Sequence, residues 1–362
     1  MKPTEEDARS SESLGKTQSD TGSIPPADVA TDGGQLEHEL FTTTAEDRPS
    51  YTRKQRLSRL LDAYVYAPMS VAWADWRVRI GGIILLFFFL MGTVGPYVVP
   101  EPRTLQGPIF LEPFVDMTHP LGTGVVGKDM VSQIVHSTPA MLKMITAGAL
   151  FSVVVATLIG TVSGYKGGKV DSVLMSFTDV VLTVPGLALV LVIASVFPPK
   201  SPWIVGLILG IDNWPGLART IRSQVLSIRE EEYVEASRAM GLSKWHIIRK
   251  DLISQLMPYI SINTATSARN IIFESVALYF LGILPMTSLN WGVLLNTAYQ
   301  ESNLRSPENI HFILIPMFTI ALISLGFVLF AQGMDRVFNV RLRAKHAKRV
   351  GGDDEGAELN DV

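Results

Sequence analysis

MITAGALFSVVVATLIGTVSGY, residues 144–165, decides the class of fold. Its 22 residues include no Asp, Glu, Lys or Arg. At 1.5 Å rise per residue, about 20 apolar residues cross the roughly 30 Å hydrocarbon core of a bilayer. Working outward, Ile80–Val99 and Ile310–Met334 are equally free of charge. Three further runs hold one or two charges each: Ser172–Pro199 with Asp179, Ser201–Ala218 with Asp212, and Pro258–Pro285 with Arg269 and Glu274. Lipid offers no partner to a bare backbone N–H or C=O, so helices are the expected form. The expectation is an all-α polytopic membrane protein with six transmembrane helices.

Charge organises the rest of the 362-residue chain, whose formal net charge is −3. Residues 1–50 hold 11 acidic and 4 basic residues, and residues 350–362 hold 5 acidic and none basic. Such Ser/Thr/Gly-rich acidic ends cannot bury enough surface to fold, so 1–50 and 346–362 read as disordered tails. The first 50 residues show no cleavable signal pattern. With the N-terminus inside, the inner flanks hold 21 Lys and Arg against 5 in the outer segments. The positive-inside rule then places both termini in the cytoplasm. Trp73, Trp76, Arg77 and Arg79 suit the headgroup zone, so residues 51–79 read as a cytoplasmic interfacial segment ahead of a membrane domain over 80–345. No cysteine is present, which excludes disulfides, zinc–thiolate sites and a cysteine nucleophile.

The longest inner loop reads EEYVEASRAMGLSKWHIIRKDLISQLMP, Glu231–Pro258. Tyr233, Ala236 or Ser237, and Met240 recur at helical spacing. Gly241 follows, where a left-handed residue can end a helix. Ser243 is positioned to cap a second helix, with Trp245, Ile248, Leu252 and Leu256 on one face. The pattern predicts two short amphipathic helices broken at Gly241, their apolar stripes toward the membrane bundle. Periodicity alone fits an ordinary interfacial helix pair equally well.

Glu235-Ala236-Ser237, three residues and then Gly241 resemble the EAA loop of ABC-importer permeases, with Ser237 for the second alanine. Four more strings resemble that family in order and spacing. They are Asp179-x-x-Leu182-x-x-Pro185; Asn213-Trp214-Pro215-Gly216-Leu217-Ala218-Arg219; His119-Pro120-Leu121-Gly122-Thr123 with Gly127-Lys128-Asp129; and Glu274 through Leu281-Gly282 with Trp291-Gly292. Gly124 and Lys128 replace the usual Asp and Arg, and Ser254 stands where a proline is common. The resemblance covers roughly residues 80–345 and is to the second, C-type permease of dipeptide/oligopeptide importers.

That resemblance implies a type I importer permease fold and a set of partners. A second permease subunit would complete the translocation path as a heterodimer. Two cytoplasmic ABC ATPases would bind beneath the two permeases, this loop seated in a groove of one of them, with Glu235, Ala236, Ser237, Gly241, Leu242 and Pro258 as the coupling set. An extracellular binding protein would deliver peptides; nickel or another small solute is the alternative cargo. The chain has no phosphate-cradling glycine–lysine loop, so ATP falls to the partners, and no cofactor, metal or nucleic acid is expected. No histidine stands in a metal-ligand or Ser/His/Asp pattern, so no catalytic residue is expected. Asp179, Pro185, Asp212, Arg269 and Glu274 are candidates for the path or gate, since ionisable residues in lipid face a cavity or a partner. Arg269 and Glu274, five apart, do not share a helix face, so each is expected to pair with another span, unless Arg269 snorkels. Direct substrate contact and proton coupling are the other roles open to this set. Of two other classes, a secondary transporter would show inverted repeats or helices interrupted at matching places, and a membrane enzyme would need polar groups converging at one membrane depth; the sequence shows no convincing repeat and no such cluster. Gly160 and Gly164 form a G-x-x-x-G pair suited to close packing.

Overall fold

The computed structural model describes residue 73, residues 75–301 and residues 309–338. The expected tails and most of the 51–79 segment lie outside them. Among the described residues all regular structure is helical, apart from an isolated bridge between Thr123 and Asp129. The helices are α1 (Trp76–Thr93), α2 (Gly95–Val98), α3 (Met130–Lys166), α4 (Gly168–Thr183), α5 (Gly186–Val196), α6 (Pro202–Ile228), α7 (Glu232–Ala239), α8 (Lys244–Ile247), α9 (Ile253–Phe280), α10 (Trp291–Glu301) and α11 (His311–Phe338).

Three of these, α1, α3 and α11, are each long and apolar enough to cross a membrane, and α4 with α5 makes a fourth candidate. Several boundaries differ from the sequence expectation. Helix α1 begins at Trp76, within the expected interfacial segment, since Asp75 caps its N-terminus by accepting from Arg77 N at 2.8 Å. The run 172–199 is not one straight helix. It breaks at Val184–Pro185, and the two helices meet at 83°. Proline has no N–H and disfavours helical geometry in the residue before it, and Val184 is extended at φ −81°, ψ 124°. The run 258–285 ends as a helix at Phe280, and Pro258 lies inside α9.

The centre of the bundle is the pair α3 and α6. Glycines on both let the backbones touch. A Cβ on Gly148 would lie 2.6 Å from Gly206 O, one on Gly160 2.5 Å from Ala218 O, and one on Gly164 2.9 Å from Arg222 O. Ser152 Oγ donates to Gly210 O at 2.9 Å. Each of these pairs is 58 residues apart, so α3 and α6 run parallel in one fixed register. A parallel pair requires the intervening chain to travel back, and α4–α5 is that return. Helix α9 runs antiparallel to α6, and α11 antiparallel to α1, where a Cβ on Gly81 would lie 2.8 Å from Gly326 O.

The segment 100–129, between α2 and α3, is folded on itself. Asp129 caps α3 by accepting from Ser132 N at 2.7 Å, and His119 Nδ1 lies 3.1 Å from the Asp129 carboxylate. Thr123 Oγ1 accepts from Leu111 N at 3.0 Å. The His-Pro-Leu-Gly-Thr and Gly-Lys-Asp strings are therefore structural clamps on the start of α3.

Candidate functional site

The loop that follows α6 starts from helix ends. Glu232 and Glu235 sit in the first turn of α7 and Arg238 in its last, which suits the helix dipole. At its C-terminus Gly241 takes φ +74°. Gly241 N donates to Arg238 O at 2.9 Å and Leu242 N to Ser237 O at 3.2 Å, the paired bonds of a Schellman ending. Ser243 accepts from His246 N at 3.2 Å and starts α8. The break at Gly241 and the cap at Ser243 are as the sequence predicts. The second helix does not stop, however. A π turn, Ile248–Leu252, joins α8 directly to α9.

The inward face of α7 is one residue out of the expected register. Val234 and Ser237 are buried, and Val234 packs with Ile221, Val225, Ile247, Ile248, Leu252 and Leu256. Tyr233 (41% exposed) and Met240 (70%) face outward, joined by Trp245 (59%) and Leu242 (39%). Two helical turns offer both registers to periodicity. Compact Val234 fits that apolar cluster, whereas Tyr233 and Met240 stay outside it. The loop thus presents an apolar surface edged by exposed Glu235 and Ala236, held by a buried face. Aromatic and methionine side chains exposed in this way are typical of interface cores. Partial burial, aided by the Glu231 and Asp251 carboxylates, pushes the Tyr233 phenol above its usual range.

Arg222 and Arg229 at the end of α6 and Arg238 of α7 tie these helices to α3 and α4. Arg222 pairs with Asp171 of α4 at 2.5 Å, and Ser163 donates to the same carboxylate. Arg229 Nη1 donates to Gly164 O at 3.0 Å. Arg238 stacks 5.3 Å from the Tyr165 ring and donates to Arg229 O at 3.3 Å.

The intramembrane candidates fall into two groups. Asp179 of α4 pairs with Arg219 of α6 at 2.5 Å, with both side chains half exposed. Pro185 makes the α4–α5 break, and Asp212 packs on the next residue, where a Cβ on Gly186 would collide with its carboxylate. Beside Asp212, Asn213 Nδ2 donates to both oxygens of Glu274, at 3.1 and 3.0 Å. Asn270 donates to Asn213 Oδ1 at 3.3 Å, and Arg269 to Asn270 Oδ1 at 3.2 Å. Glu274 thus finds its partner on another helix, as expected. Arg269 instead bonds its own neighbour, and it lines a cavity of about 270 Å³ with Gln332 and Asp335 of α11. Sequence reasoning named Asn213 only within a string and passed over Asn270, counting neither as a path or gate candidate, because it weighed charge, and amides carry none. Their signal was position: an amide inside an apolar run must also find a partner. Among the described residues no group of His, Cys, Asp and Glu could hold a metal.

Residues 156–344 match the family described as binding-protein-dependent transport system inner membrane component. A dipeptide transport system permease protein of Bacillus subtilis is 28% identical over 303 residues, covering 81% of this chain and 93% of that one. An oligopeptide transport system permease protein of Haemophilus influenzae is 30% identical over 219 residues, covering 59% and 70%. A probable D,D-dipeptide transport system permease protein of Escherichia coli is 26% identical over 311 residues, covering 85% and 99%. Among solved structures, a methionine ABC transporter in inward-facing conformations aligns at TM-score 0.47 and 18% identity, covering 58% of this chain and 97% of that one.

Proposed function

This chain belongs to the family of binding-protein-dependent transport system inner membrane components, and on that premise we propose that it is one permease subunit of an ATP-driven peptide importer. The peptide cargo rests on the relatives named for dipeptide and oligopeptide transport. The observation that carries the mechanism is the inner loop, where Val234 and Ser237 are rooted in the bundle while Tyr233, Met240 and Trp245 stand exposed. A lever needs that division. Its outer face docks in a cytoplasmic ATPase, which binds and hydrolyses the ATP, and its inner face passes the motion to α6 and α9. The alternation of helix direction supports six crossings: α1 outward, α3 inward, α4–α5 outward, α6 inward, α9 outward, α11 inward. The basic residues support both termini lying inside. The heterodimer partner lines the other half of the path, and an external binding protein delivers the cargo. The break at Pro185, with Asp212 on one side and the Asn213–Glu274 pair behind it, is the gate.

The test is reconstitution of the chain with a second permease and two ATPases in proteoliposomes. Uptake of a labelled dipeptide is expected to require both ATP trapped inside the vesicle, on the ATPase side, and the binding protein outside, on the opposite face. Uptake that persists without ATP, driven by an ion gradient, would put the chain in another class of transporter.

A further inference from the structure

Beneath α7 a cavity of about 1310 Å³ opens between the inner ends of α3, α4 and α6 and the loop, and it is lined by Lys166, Arg229, Arg238 and Lys244. Glu230 and Glu235 also line it, leaving an excess of two positive charges. Arg229 is held by Gly164 O, and its Nη2 lies 3.8 Å from Glu230. Arg238 is held by the Tyr165 ring and Arg229 O. Each guanidinium is therefore fixed in place with further N–H groups left to donate. Lys166 and Lys244 are exposed, and no ion pair is made by either among the described residues. Tyr165, Val170 and Leu242 give the same cavity an apolar side.

Val170 also begins a stripe. Val170, Val173, Phe177 and Val180 recur at three- and four-residue spacing on α4, exposed by 39%, 68%, 56% and 64%. The stripe runs from the basic cavity toward the middle of the membrane. A soluble anion would use the cations and leave the stripe unused. A phospholipid uses both, with its phosphate among the cations and its acyl chains along α4. We propose that this cavity binds an anionic phospholipid of the cytoplasmic leaflet, seated between the coupling loop and the α3–α4 junction. Because Arg238 belongs to the loop and Tyr165 to α3, the headgroup braces the two against each other. The inner placement rests on the orientation proposed above.

The experiment uses the assembled complex in phosphatidylcholine nanodiscs doped with phosphatidylglycerol, with retained lipid counted by native mass spectrometry. The wild type is expected to retain phosphatidylglycerol in preference to phosphatidylcholine. Removing Lys166 and Lys244 together (Lys166→Gln with Lys244→Gln) is expected to weaken retention roughly 25-fold, about fivefold for each cation. Val173→Gln is expected to weaken it as well, and Lys200→Gln, on the opposite side of the bundle, to leave it unchanged. Equal retention in the double variant and the wild type would overturn the proposal. So would competition by inorganic phosphate with no effect of Val173→Gln, which identifies a soluble-anion site. Loss of the ATPase from the double variant with lipid retention intact would assign the cavity to an acidic partner surface. Orientation is checked separately: Met240→Cys labelled from outside intact cells would refute the inner placement, whatever the lipid result.

Discussion

At the scale of single residues, the least replaceable side chain in the polar cluster is Asn213. Its amide serves both Glu274 oxygens and also accepts from Asn270. Asn213→Ala leaves a carboxylate and an amide inside the bundle without that partner, at a cost of about 1–3 kcal/mol. A lower melting midpoint in detergent is expected, and Asn213→Asp should lower it further by adding a like charge beside Asp212 and Glu274. An unchanged midpoint for both would show that the cluster is not a structural tie. Gly241 is a different case. Its left-handed conformation is needed, yet nothing lies within 4 Å of where a Cβ would be. Gly241→Val therefore strains the backbone by about 1–3 kcal/mol without a clash. Protein in the membrane should stay near normal while ATPase recruitment and uptake fall together. Wild-type recruitment in that variant would mean that the loop is not the docking element. Gly241 and Ser243 were legible in the sequence because turn and cap chemistry is local. The partner of Glu274 was not, because it comes from a helix 61 residues away.

At the scale of elements, the α3–α6 contact depends on absent side chains. A Cβ on Gly160 would fall 2.5 Å from Ala218 O and 2.9 Å from Ile221 Cβ. Gly160→Val must push the helices apart, and overpacking of this kind costs about 1–3 kcal/mol. Gly216, on α6 with nothing near it, is the control: Gly216→Ala should be neutral or stabilise by about 0.5–1 kcal/mol through helix propensity. Thermal melts of the two variants check both signs, and equal destabilisation would mean that the glycines act through the backbone alone. The G-x-x-x-G spacing announced this packing but not its partner, since helix pairing is a tertiary choice. The break within 172–199 was missed for a related reason. Hydropathy counts apolar residues through Pro185, whereas the proline acts on Val184 to turn the chain by 83°. The face of α7 could not be read because a two-turn helix carries too few residues for its period to choose Val234 over Tyr233.

At the scale of the whole molecule, orientation can be checked on a chain that has no cysteine of its own. Leu105 in the segment between α2 and α3 is 79% exposed, and Met240 in the loop is 70% exposed. Leu105→Cys should react with an impermeant thiol reagent added outside intact cells, and Met240→Cys only after the cells are opened. Early labelling at Met240 would invert the topology. The π turn at Ile248–Leu252 has a consequence for how the two ends of the molecule are aimed. A π turn holds one residue more than an α turn, and here Ile248, Leu252 and Leu256, four apart each time, all stay buried across it. Deleting Arg249, which is exposed, would leave an unbroken α-helix with better local hydrogen bonding. It would also rotate everything before it by about 100° about the axis of α9. Ile247 would leave the core, and the face proposed to dock the ATPase would point away from it. The turn is therefore a fixed bearing: a shorter, locally more regular chain would insert into the membrane and yet fail to meet its engine.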